Sequence, residues 1–298
     1  MAQNIAILKM NLEKNKVYRL KSVSEQTVTQ TVNGNQQTVE SDVEYTLSLK
    51  MLDVTPDFMV TEVHFDTLIT NTNTMGKTSS INSTVEGDIA SSETSDIMSC
   101  IMNRLSKSAL FVKIDFTGKP VEVVNAKMLS DMVLKDTASI TLAEPVASAL
   151  KTQIAGTVSD NTLKTMIGGF TWHLPGKEVS VGDRWEITEQ TSSGGMLLAI
   201  TTNYRLDGIS GNNATISVES GIKAAENAPP IRSAGATVTY DNLTGMSKST
   251  LVIDVRTGLV VEDNAKTRIS GNLGISAPGF SMDMPMDING ETKVKALQ

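Results

Sequence analysis

Few residues in this 298-residue chain have the types and spacing that chemistry needs. Its two histidines are His64 and His173, so a Ser-His-Asp triad or a His-based metal site would have to use one of them. His64 alternates with Val63 and Phe65 on an expected strand, and His173 follows Trp172 just before Pro175. Both read as hydrogen-bonded structural residues. Cys100 is alone, which allows neither an internal disulfide nor a Cys-based zinc site. Its setting, Ile97-Met98-Ser99-Cys100-Ile101-Met102, is that of a small buried hydrophobe. Ser148-Ala149-Leu150-Lys151 with Ser159-Asp160-Asn161 mimics two elements of penicillin-recognising enzymes. Here both fall in one helical region and no Lys-Thr-Gly follows, so the likeness is chance. No catalytic residue, metal or cofactor is expected.

The methionines are the remaining candidates. Met282, Met284 and Met286 alternate, which puts them on one face of a strand at steps of about 7 Å. Thioethers in a row suit Cu(I). With 15 methionines in the chain, adaptable apolar filler is the simpler reading. A third reading is a Met-lined cavity for a lipid or other apolar ligand, to which Met128 and Met132 on a predicted helix would contribute.

The elements that must position these residues are mostly strands, short runs of Val, Ile and Thr punctuated by Gly, Asn and Asp. The firmest is a long hairpin over about 17–32 and 36–53, turned at Asn33-Gly34-Asn35, because Asn and Gly tolerate positive φ. Further strands are expected over 58–71 and 78–88 and from Trp172 to the end, with a turn at Ser193-Gly194-Gly195 among others. Helical spacing appears over 91–106 and in several pieces across 125–168, with Pro145 at a first-turn position. The fold class expected is α+β, mainly antiparallel β, as two related curved sheets or half-barrels with a central helical segment. The division is 1–124, 125–168 and 169–298, within one compact unit.

The relation between the halves rests on a repeated hairpin. Ile114-Asp115-Phe116-Thr117-Gly118 leads to Glu122 and Asn125-Ala126-Lys127; Ile253-Asp254-Val255-Arg256-Thr257-Gly258 leads to Glu262 and Asn264-Ala265-Lys266. Turn chemistry alone accounts for Thr-Gly, but not for the matching residues beyond it. Glu25-Gln26-Thr27 with Glu189-Gln190-Thr191, and Tyr45-Thr46-Leu47 with Tyr204-Arg205-Leu206, suggest the same internal duplication. These residues read as scaffold, since two copies on hairpin arms are not expected to converge on one cleft.

Composition narrows the partners. Net charge is -7 and the cations are scattered, which excludes a phosphate-tracking surface, and aromatic content of 4% removes stacking platforms. No run approaches the roughly 20 apolar residues of a membrane helix. Ala2-Gln3 is like the junction left when a secretory signal is removed, so an exported chain is expected.

Leu174-Pro175-Gly176-Lys177-Glu178-Val179-Ser180-Val181-Gly182-Asp183-Arg184-Trp185 resembles the element that opens the second half of an uncharacterised cell-envelope protein family of Bacteroides-type bacteria. Met282-Asp283-Met284-Pro285-Met286-Asp287 resembles that family's Met-rich last strands. The likeness spans most of the chain and implies export, to the periplasm, the cell envelope or the medium, free or lipid-anchored. It implies no activity. The functional expectation is a non-enzymatic envelope protein that binds an apolar or amphiphilic ligand in a concave sheet. The alternative is a structural or interaction subunit with an envelope protein partner.

Overall fold

The computed structural model describes residues 5–297 apart from 33, 194, 234 and 241, so Asn33 and Gly194 of two expected turns lie outside the described residues. The first half runs β1 (Ile5–Leu8), β2 (Val17–Val32), β3 (Asn35–Val54), β4 (Phe58–Thr74), β5 (Lys77–Asn82), α1 (Thr94–Ser106), β6 (Leu110–Asp115) and β7 (Pro120–Val123). Three helices follow, α2 (Ala126–Val133), α3 (Val146–Thr157) and α4 (Asp160–Thr171), with a short 3-10 turn at Thr137–Ser139. The second half begins with β8 (Lys177–Ser180), β9 (Arg184–Ser193), β10 (Met196–Ser210) and β11 (Asn213–Ala224). The short β12 (Ile231–Ser233) and β13 (Ala236–Thr239) precede the long β14 (Thr244–Asp254), β15 (Val260–Ala277) and β16 (Phe280–Leu297).

The choice between two sheets and halves of one barrel is resolved by the chain ends. β16 pairs with β2 from Met286↔Gln30 to Leu297↔Arg19, so both halves join one antiparallel sheet. Its order is β7-β6-β4-β3-β2-β16-β15-β14-β11-β10-β9, an open path rather than a closed ring. β1 and β8 form a separate two-stranded ribbon. Alternation assigns the faces: on β4, Met59, Val63, Phe65 and Leu68 are buried, while Glu62 and His64 face outward and hydrogen-bond each other at 3.0 Å. The inner face and the helices share one core, including Leu49, Val63, Ile101, Leu129, Ile154, Ile167 and Ile253. Ser159 starts α4 by accepting the N–H of Thr162 at 3.2 Å, and Asp160 ties the helix to β7 by accepting Val123 N–H at 3.2 Å. The strand expected over 78–88 ends at Asn82, because the chain there turns toward α1, where Ser99 Oγ accepts Asn82 N–H.

Both halves repeat one backbone plan. Asn15 and Gly182 each have positive φ, and their N–H groups reach Met51 O and Leu206 O. Tyr18 pairs with Leu49 as Trp185 pairs with Tyr204. A register break lies between Met51 and Asp53 in the first half, and between Leu206 and Gly208 in the second. A further break lies at Lys113/Ile114 in one and Val252/Ile253 in the other. With that register fixed, Val112↔Val123 corresponds to Leu251↔Asp263. Two sequence pairings shift as a result. The counterpart of Tyr204 is Leu49 rather than Tyr45, and that of Glu189 is Ser22 rather than Glu25. Asn125 closes a strand by accepting Phe111 N–H and donating to Ala109 O, whereas Asn264 continues within β15, so this part of the sequence match has no common structural role.

The two Thr-Gly turns meet on a backbone segment rather than at a cleft. Met10 N–H donates to Phe116 O and Asn11 N–H to Thr257 O, both at 2.9 Å, so one extended segment is clasped by both turns. The approach is close enough to require glycine. A Cβ on Gly118 would lie 1.9 Å from Thr171 O, and one on Gly258 would lie 2.5 Å from Lys9 O.

Candidate functional site

The expected ligand residues do not form one site. Met128 and Met132 sit on the outward side of α2 and are 60% and 46% exposed, while the helix buries Leu129 and Val133 instead. Helical spacing gave them a common face, but that face points to solvent. Met282, Met284 and Met286 do share the inner face of β16, as alternation required. There Met284 and Met286 are buried with Tyr240, Leu243 and Leu273 in a second, smaller core. The segment bearing β12 and β13 folds over this end of the sheet, and Tyr240 fastens it by donating to Pro229 O and accepting Leu197 N–H. Pairing of β16 with β2 starts only at Met286, so Pro285 lies just outside that ladder. Ser148 and Ser159 are likewise separated in role: Ser148 Oγ bonds Glu144 at 2.6 Å, and Ser159 caps α4.

Between the two cores, the inner face of the second half is left open. A cavity of about 400 Å³ lies there, between α4 with its following loop and strands β9, β10, β11, β14, β15 and β16. Cross-strand register sets its lining. Thr202, Ser220, Ser247 and Thr267 form one row across four adjacent strands, closed in pairs by hydroxyl hydrogen bonds of 2.9 Å. In the neighbouring row Ile200 and Ile222 stand side by side with Glu189 at the end, while Ile187 flanks Thr202 and Val218 flanks Tyr204. The wall is therefore mixed, with hydroxyls beside aliphatic groups.

One end of the cavity carries aromatic and titratable groups. Trp185 stacks on Tyr204 with centroids 5.4 Å apart and planes 2° from parallel. Trp185 Nε1 donates to His173 O at 3.0 Å, and His173 Nδ1 lies 3.4 Å from the Tyr204 hydroxyl. Burial lowers the His173 pKa to about 4, so the ring is neutral at pH 7. Burial likewise raises the pKa of the Tyr204 hydroxyl, and the charges of Glu189 and Asp263 add to that rise. Both carboxyls are themselves raised by desolvation; the nearby Lys119 partly offsets this for Glu189. Asp263 stands between Leu251 and Val294 across the ladder; Ser249 and the Asn264 backbone hydrogen-bond its carboxyl, but its Oδ1 is sealed from solvent with no hydrogen-bond partner among the described residues. At the rim, Lys119 Nζ lies 4.5 Å from the centroid of the Trp172 ring.

A larger hollow of about 720 Å³ crosses the outer face, but it is open and gathers solvated charges. Two of its lysines are already paired, Lys266 with Glu291 at 3.0 Å and Lys248 with Glu219 at 2.9 Å. The inner cavity is the one that desolvates polar groups, and it is the candidate site. Sequence reading named none of Tyr204, Glu189 or Asp263 as site residues. A signal existed for one: with Glu122 and Glu262 aligned, Asp263 falls opposite Val123, an acid where alternation calls for a hydrophobe.

A family model described as a family of unknown function, DUF6263, matches residues 57–260. No curated protein matches the sequence. Among solved structures, a lipovitellin structure concerned with lipid–protein interactions matches with a TM-score of 0.48 and 10% identity; the match covers 97% of this chain and 26% of that one. An outer membrane channel from Pseudomonas putida F1 matches with a TM-score of 0.23 and 8% identity over 97% of both chains. The translocator domain of the autotransporter NalP from Neisseria meningitidis gives 0.22 and 6%, over 96% of this chain and 90% of that one. At these TM-scores none of the three bears on function.

Proposed function

The chain belongs to the DUF6263 family of unknown function, and we propose that it is a non-enzymatic binding protein holding an amphiphilic ligand in the inner cavity of its second half. The observation that carries this reading is the mixed wall: aliphatic side chains beside a hydroxyl row, in a cavity of about 400 Å³. A water-filled pocket for a purely polar solute has no use for Ile187, Ile200 and Ile222, and a purely apolar one has no use for a hydroxyl row and two carboxyls. The reading takes the two halves as copies of one unit, with the second specialised for binding, and is supported by their common register. It also places the protein in the cell envelope, as the resemblance of its Leu-Pro-Gly-Lys element implies.

Both tryptophans of the chain stand at the cavity, Trp172 lining it and Trp185 stacked on Tyr204. Their emission therefore reports on occupancy without a label. Titration with dodecanol should give a saturable change in tryptophan emission; a flat titration below the alcohol's solubility limit would end the proposal. A second reading, an interaction subunit, is favoured by β9, which ends the sheet order with ten residues and pairs with β10 alone among the described strands. Self-association that is lost on replacing Thr188 by proline would favour it.

A further inference from the structure

Proceeding from the amphiphile reading, we propose that the cavity selects a ligand with a cationic, ammonium-type head, anchored by Asp263 and aided by Glu189. The first ground is the position of Asp263. Its counterpart in the first half is Val123, which is buried and packs in the same ladder place opposite Val112. The backbone plan is thus met by a hydrophobe, and an acid between Leu251 and Val294 serves something other than folding.

The second ground is the charge balance of the lining. Glu189 and Asp263 are its two acids, and both lie near enough to Tyr204 for their charges to act on its hydroxyl. The neutral His173 adds no positive charge to the lining, and Lys119 sits outside at the rim against Trp172. A carboxylate or phosphate head entering here would meet two acids and no buried cation. An ammonium head would meet two desolvated acids, one of them with a sealed oxygen that no group of the described residues bonds, and its charge would favour their ionised forms. The hydroxyls of Ser247 and Ser249, lining the same wall, supply acceptors for its remaining N–H groups.

The test compares three probes of equal tail length by calorimetry on the full chain: dodecylamine, dodecanol and dodecanoate. Dodecylammonium should bind at least tenfold tighter than dodecanoate, with dodecanol between them. Asp263→Val, which installs the first half's residue, should abolish that preference while dodecanol binding persists. Asp263→Asn, closer in shape, should do the same. Dodecanoate binding as tightly as the amine, or an unchanged preference in both variants, would overturn the head-group assignment and leave the amphiphile reading standing on dodecanol. Failure of all three probes to bind would overturn both.

Discussion

In the first half, Leu47, Leu49, Phe65, Leu110 and Val123 are buried in the main core. The places corresponding to them in the second half hold Thr202, Tyr204, Ser220, Ser249 and Asp263, all of which line the cavity. The same strand order, two shared register breaks and the same clasped turns therefore support two interiors. One is filled, because α1 docks on β4 and β5 and its Ile97, Ile101 and Leu105 enter the core. The other is open, because β12 and β13 fold over the far end instead, leaving a gap before α4. The comparison separates what the fold needs from what it merely carries. Hydrophobes at these places suffice for the architecture, so the second half does not need its hydroxyls or the Asp263 carboxyl in order to fold.

Exchanging residues between the halves tests that separation. The largest effect should come from Val123→Asp, which puts an unpaired acid into the filled interior; urea unfolding should show a loss of about 4 kcal/mol. A loss under 1 kcal/mol would mean that the first half is not the closed counterpart described here. The reverse exchange, Asp263→Val, should raise stability by about 1–2 kcal/mol at pH 7, since it removes a desolvated carboxyl with a sealed, unpaired oxygen. The pH dependence is subtler. His173 titrates at about 4 in the folded chain against 6.5 ordinarily, so the unfolded chain takes up the proton first. Stability should therefore fall as pH drops from about 6.5 to about 4, by at most about 1.4 kcal/mol per unit, and His173→Gln should flatten that slope. Asp263 acts in the opposite sense. Its raised pKa makes the folded chain hold the proton longer, so its contribution to stability declines as pH rises above 3.8, and Asp263→Val should remove that decline.

Much of the scaffold was legible. Period-two alternation and Asn-Gly or Thr-Gly punctuation placed the β2–β3 hairpin and the repeated turns, because those signals are local. The inner face of β16 followed from Met282, Met284 and Met286 alone. The joining of the two halves into one sheet was not legible, since pairing between β2 and β16 connects residues more than 250 positions apart and leaves no local mark. Nor was the site. Spacing can put Met128 and Met132 on one side of a helix, yet Leu129 and Val133, one position on, compete for the same core and win it. Tyr204, Glu189 and Asp263 come from three strands that register brings together, and only the Val123–Asp263 mismatch within the repeat hinted that one of them was unusual.

Isoleucine methyl groups report on the two interiors at once. With 13C-methyl-labelled protein, titration with dodecanol should shift the resonances of Ile187, Ile200 and Ile222 at the cavity and leave those of Ile97, Ile101 and Ile114 in the filled core in place. Shifts confined to the second half are the predicted result. Shifts spread equally over both sets, or absent from the cavity set at saturation of the tryptophan signal, would contradict the account.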